Sequence, residues 1–106
     1  MGLPSKQETV ILELLAAKKG GEMYGGQMVD AQPDRLKDNT IYSVLTRMVA
    51  KNFIDTRLQT DAEQSKRGPK QRLYKITAYG QHMLVAARAR DLAEAQGQAL
   101  RPAGGF

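Results

Sequence analysis

At Asn52 the apolar spacing of this 106-residue chain changes from helical to extended with no loop between, which limits the folds open to it. Upstream, Ile41, Leu45, Met48 and Val49 fall at i, i+4, i+7 and i+8, the inward stripe of a helix read over Thr40 to Lys51. Downstream, Phe53 to Leu58 reads as a strand with Ile54, Thr56 and Leu58 on one face. Asn52 tolerates the left-handed backbone that ends a helix. The helix and the strand it feeds must therefore lie side by side.

The rest of the chain supplies the partners of that unit. Ser5-Lys6-Gln7-Glu8 fits a capping box ahead of Val10, Ile11, Leu14 and Leu15, so a first helix runs from about Lys6 to Lys18 and stops at Gly20-Gly21. A second helix is expected over Glu22 to Ala31, with Met23, Met28 and Val29 apolar. Gly25-Gly26 costs it about 1 kcal/mol per residue relative to alanine, which points to close backbone packing or a weak helix. Gln32-Pro33-Asp34 breaks the chain, and Asp38 or Asn39 caps the third helix. Gln59 to Pro69 is read as loop and Lys70 to Ile76 as a second strand, with Leu73 partly covered and Tyr74 and Ile76 in the core. Thr77 caps a last helix over Ala78 to Leu100, and residues 101–106 form a frayed tail. Met23, Met28, Met48 and Met83 are read as core fillers.

The expected fold is mostly α with a two-stranded β-wing, a winged helix-turn-helix followed by a long C-terminal helix. Residues 1–77 would form the DNA-binding domain and 78–100 a dimerisation helix. That helix carries two apolar stripes, Val85, Ala89, Leu92, Gln96 and Ala99 at a/d spacing and Tyr79, Met83, Ala86, Ala93 and Leu100 beside it. One stripe can pack on the domain and the other on a second copy. The dimerisation candidates are Met83, Val85, Ala86, Ala89, Leu92, Ala93 and Gln96.

Charge narrows the function. The net +5 is unevenly spread, because Lys66, Arg67, Lys70, Arg72, Lys75, Arg88 and Arg90 lie between Gln64 and Arg90 with no acid among them. Such segregation suits a polyanion. No cysteine is present, so disulfides and thiolate chemistry are excluded and a cytoplasmic location is expected. The N-terminus lacks signal-peptide character, and no apolar run approaches the roughly 20 residues of a spanning helix. His82 is the only histidine and has no ligand or triad partner at suitable spacing, and the glycine pairs match no phosphate-binding fingerprint. Neither an enzyme nor a metal or cofactor site is expected.

A helix-turn-helix places its recognition helix in the major groove, and a wing reaches the adjacent backbone. The helix face opposite the apolar stripe is polar and free of acids, which makes Thr40, Tyr42, Ser43, Thr46, Arg47 and Lys51 candidates for DNA contact. Lys66, Arg67, Lys70 and Arg72 are the wing candidates. The other reading open to these residues is a winged-helix protein-interaction module whose basic hairpin meets an acidic partner protein.

Three segments resemble the PadR-like winged-helix transcription regulators. T40-I-Y-S-V-L-T-R-M-V-A-K-N-F-I54 is similar to the family's recognition helix. R67-G-P-K-Q-R-L-Y-K-I-T-A-Y-G80 is similar to its wing and following strand, and M23-Y-G-G-Q-M28 shows a weaker likeness. The resemblance spans about residues 8 to 88. It implies a homodimeric repressor that binds double-stranded DNA at a pseudo-palindromic operator, with the C-terminal helix as the dimer contact. In some members it also implies a small hydrophobic effector at the dimer interface. Gly26 and Asn52 depart from the usual aromatic residue and glycine. The C-terminal helix has no tryptophan to stack on planar ligands, so drug binding is not carried over.

Overall fold

In a computed structural model that describes residues 2–64 and 69–100, the capping box at Ser5 forms in both directions. The Ser5 hydroxyl accepts from Glu8 N–H at 3.2 Å, and Glu8 Oε1 accepts from Ser5 N–H at 2.9 Å. Helix α1 spans Lys6–Ala17 and buries Ile11, Leu12 and Leu15. Gly20 and Gly21 then take φ of 89° and 80°, a left-handed pair that turns the chain back on itself.

That reversal corrects the expected second helix. Glu22–Tyr24 is a short strand, β1, and helix α2 covers only Gly25–Ala31. Two consecutive left-handed residues aim the chain along the sheet, where Glu22, Met23 and Tyr24 pair with Lys75, Tyr74 and Leu73. Leu36, fully buried in the following turn, is a core residue that the spacing argument passed over.

Helix α3 spans Ile41–Ala50. Its N-cap is Thr40 rather than Asp38 or Asn39, and no side chain completes the cap. Ile41, Leu45 and Met48 are buried as expected and Val49 is half-buried, while Val44 joins them at 3 % exposure. Asn52 adopts φ 67°, and Phe53 N–H reaches back to the Met48 carbonyl at 3.0 Å. The chain passes straight into β2, Ile54–Leu58, with Phe53 and Ile54 buried at the junction.

Strand β3, Arg72–Ile76, is the middle of a three-stranded antiparallel sheet in the order β1-β3-β2, one strand more than expected. Its central place explains another correction. Leu73 and Tyr74 are both buried although they face opposite ways, and Ile76 is only half-buried. Tyr74 and Met23 lie on the side that joins the helical core. Leu73 is flanked across the register by Tyr24 and Arg57, which shield it on the other side.

Thr77 starts helix α4, Ala78–Leu100, with its hydroxyl accepting from Gly80 N–H at 2.8 Å. The same hydroxyl lies 2.7 Å from the Asn52 carbonyl oxygen, as donor, and Thr77 N–H donates to the Phe53 carbonyl. Gly80 follows from this approach, because a Cβ there would stand 2.0 Å from the Phe53 oxygen. Helix α4 packs on α1, and its buried hydrophobic residues include Leu84 and Ala87, neither of which belongs to either expected stripe. The molecule is a mostly helical winged helix-turn-helix, with a small antiparallel sheet and a long C-terminal helix.

Candidate nucleic-acid interface

The outward face of α3 is built by subtraction. Once Ile41, Val44, Leu45 and Met48 point inward, helical geometry leaves Tyr42, Ser43, Thr46 and Arg47 exposed together. The Thr46 hydroxyl donates to the Tyr42 carbonyl at 2.8 Å, which fixes its rotamer and leaves its lone pairs outward. Thr40 sits exposed at the N-cap, with its hydroxyl 3.5 Å from the Lys37 carbonyl.

Tyr42 is 55 % exposed, and its ring lies against Gly25 of α2. A Cβ on Gly25 would lie 2.8 Å from its Cε1, so the ring occupies the space that glycine leaves. The unfavourable Gly25-Gly26 pair thus divides: Gly25 makes room for a tyrosine of the outward face, while a Cβ on Gly26 would meet nothing within 4 Å.

Lys51 is exposed at the C-terminal end of α3 and is also tied to α1. Its ammonium makes a 2.8 Å ion pair with Glu8 Oε2 and stands 5.6 Å from the centroid of the Phe53 ring. Burial pushes the Glu8 carboxyl up, but the hydrogen bonds from Lys51 and Ser5 N–H and the charges of Lys51 and Arg47 together hold it below its ordinary value.

Of the wing cations, Lys66 and Arg67 lie outside the described residues. Lys70 pairs with Asp61 at 2.6 Å, and Arg72 is exposed at the start of β3, opposite Leu58. The base of the wing is braced by Arg57, which the sequence reading missed. Its guanidinium engages Glu22 of β1 through Nε and Nη2, at 2.8 and 2.9 Å. It engages Glu63 through Nη1 and Nη2, at 2.8 and 2.9 Å. Glu63 also accepts from Thr60 N–H at 2.8 Å. The Arg57 hydrogen bonds, then the Thr60 N–H, bring the Glu63 carboxyl down to about 2, and the same guanidinium lowers Glu22. The three residues lie up to 41 positions apart (22 to 63), so no local spacing reveals them.

On α4, Val85 and Leu92 are 63 % and 59 % exposed, and Ala89, Ala93 and Gln96 are exposed beside them. Met83 and Ala86 are half-buried, and Met83 packs on the core. Glu13 of α1 pairs with Arg88 of α4, and Arg90 Nη1 donates to the Pro4 carbonyl at 2.7 Å. An open cleft of about 770 Å³ lies between α1 and α4. Lys6, Glu13, Arg35, Asp91 and Glu94 give it charged walls. Among the described residues no group of three or more His, Cys, Asp or Glu could hold a metal ion, and no helix is long and apolar enough to cross a membrane.

Residues 11–86 match the family described as "Transcriptional regulator PadR-like family". No curated protein matches the chain. Among solved structures, a PadR family transcription regulator from Clostridium difficile R20291 is similar at 23 % identity and TM-score 0.66, covering 91 % of this chain and 99 % of that one. Bacillus subtilis PadR in complex with operator DNA is similar at 23 % identity and TM-score 0.61, over 74 % of this chain but only 44 % of that one. A PadR-like regulator from Bacillus cereus shows 23 % identity and TM-score 0.60, with 87 % of each chain covered.

Proposed function

Because the chain belongs to the PadR-like family of transcriptional regulators, we propose that it is a homodimeric, sequence-specific DNA-binding repressor, with α3 in the major groove and the wing on flanking phosphates. The observation that carries this reading is the outward face of α3, where Tyr42, Ser43, Thr46 and Arg47 are exposed together without an acid. Such a face offers hydrogen-bond donors and acceptors to base edges and a planar fork to guanine or phosphate. The operator complex of Bacillus subtilis PadR supports the same use of the fold.

Lys70 and Arg72, with Lys66 and Arg67, supply the phosphate contacts. Lys70 then exchanges Asp61 for a phosphate, a small cost because that pair is exposed. Val85, Ala89, Leu92, Ala93 and Gln96 form the seam with a second copy, and residues 78–100 act as the dimerisation helix. Twofold symmetry would set two copies of α3 about 34 Å apart on a pseudo-palindromic site.

Selection of bound duplexes from a random pool, followed by titration with the selected and a random duplex, tests this. Discrimination of about a hundredfold or more between the two is expected. Binding that is equally weak to both would favour the module that meets an acidic protein. Each wing cation on a phosphate adds about 0.9 to the log-log salt slope, so Arg67→Ala with Lys70→Ala flattens it for both duplexes. Arg47→Ala lowers discrimination instead.

A further inference from the structure

Glu8 does more than a capping box requires. The box uses one carboxylate oxygen, which a glutamine would supply equally well. The second oxygen, in a residue 2 % exposed, holds the ammonium of Lys51, the C-cap residue of α3. A buried carboxylate in an ion pair is a weak source of stability and better suited to fixing geometry. Here the geometry concerned is the angle of α3 against α1. Helix α1 packs on α4 and is tied to it by Glu13 with Arg88, while the Pro4 carbonyl just ahead of α1 accepts from Arg90 of α4. Lys51 is also held by Phe53, at the point where α3 gives way to β2.

We propose that the Glu8–Lys51 ion pair is a positioning latch, which sets the pose of α3 against the α1–α4 unit and so governs discrimination between DNA sequences. Lys51 acts through α3 and not by meeting a phosphate. The proposal rests on the DNA-binding reading above and replaces the direct contact first expected of Lys51. A longer, neutral Glu8–Lys51 contact lets α3 rotate on its apolar stripe. Bidentate base contacts lose alignment before phosphate contacts do, because only the former depend on the planar geometry of both groups.

Glu8→Gln, Lys51→Met and the double variant are compared with the unaltered protein on selected and random duplexes. The temperature is one at which thermal melts show all four fully folded. Glu8→Gln keeps an acceptor for Ser5 N–H, so the cap survives. Each single variant is expected to lower the ratio of selected to random affinity by about tenfold, with no further loss in the double variant and an unchanged salt slope. A fall of about 0.9 in the slope for Lys51→Met would identify a phosphate contact and overturn the latch. So would an unchanged ratio in Glu8→Gln. If the unaltered protein shows no discrimination, the DNA-regulator reading fails first and the latch with it.

Discussion

Two glycines of this chain are set by room rather than by backbone angle. At Gly80 the obstacle is main chain, because a Cβ would stand 2.0 Å from the Phe53 carbonyl oxygen, which also accepts from Thr77 N–H. Relief would require α4 to move away from the α3–β2 junction. Gly80→Ala is expected to cost about 3 kcal/mol, read from urea unfolding at constant slope. At Gly25 the obstacle is the ring of Tyr42, which is exposed and can swing aside. Gly25→Ala is therefore expected to change stability by less than about 1 kcal/mol while weakening DNA binding severalfold, as seen in paired melts and titrations. Neither reason was visible in the residues alone. The sequence shows only that glycine sits badly in a helix, not which side chain from elsewhere needs the space.

At the scale of elements, local signals and distant ones separate cleanly. The Ser5 cap, the left-handed turn at Asn52, the break after Gln32 and the Thr77 cap are each decided within four residues, and all were legible. Strand β1 was not, because its three residues become a strand only by pairing with β3, some 50 positions on. The Arg57 brace is equally non-local and carries the pH dependence of the wing. Glu63, at about 2 when folded, and Glu22 and Glu8, both lowered, bind protons more weakly folded than unfolded. Their stabilisation is therefore complete above the ordinary carboxylate value of about 4.5 and declines as pH falls toward 2. Denaturation midpoints should drop between pH 6 and pH 3. In Arg57→Met the drop should shrink, since Glu22 and Glu63 then titrate nearer their ordinary values in both states.

At the scale of the molecule, α4 is the element whose faces were hardest to assign. Alanine is spread over its whole circumference, so no stripe stands out, and Leu84 and Ala87, which belong to neither expected stripe, are the buried hydrophobic positions of the helix among the described residues. Its 23 residues extend about 35 Å, with a core-facing side at the start and exposed Val85, Ala89 and Leu92 on the other. If that side is the seam between subunits, Leu92→Glu places a charge where an apolar contact is needed. Dimer dissociation should become about a hundredfold easier by sedimentation, while melts at high concentration keep the core transition.

The junction at Asn52 and Phe53 has a consequence for how such a dimer reads spacing. Three elements meet around those two residues: α3 ends just before them, β2 starts just after, and Thr77 at the head of α4 is bonded to both carbonyls. With the Glu8–Lys51 pair also in place, little slack is left between α3 and α4. If α3 reads DNA and α4 joins two copies, adaptation to an operator with one added base pair between half-sites would have to come from sliding at the seam or from twisting the DNA, so tolerance for such insertions should be small.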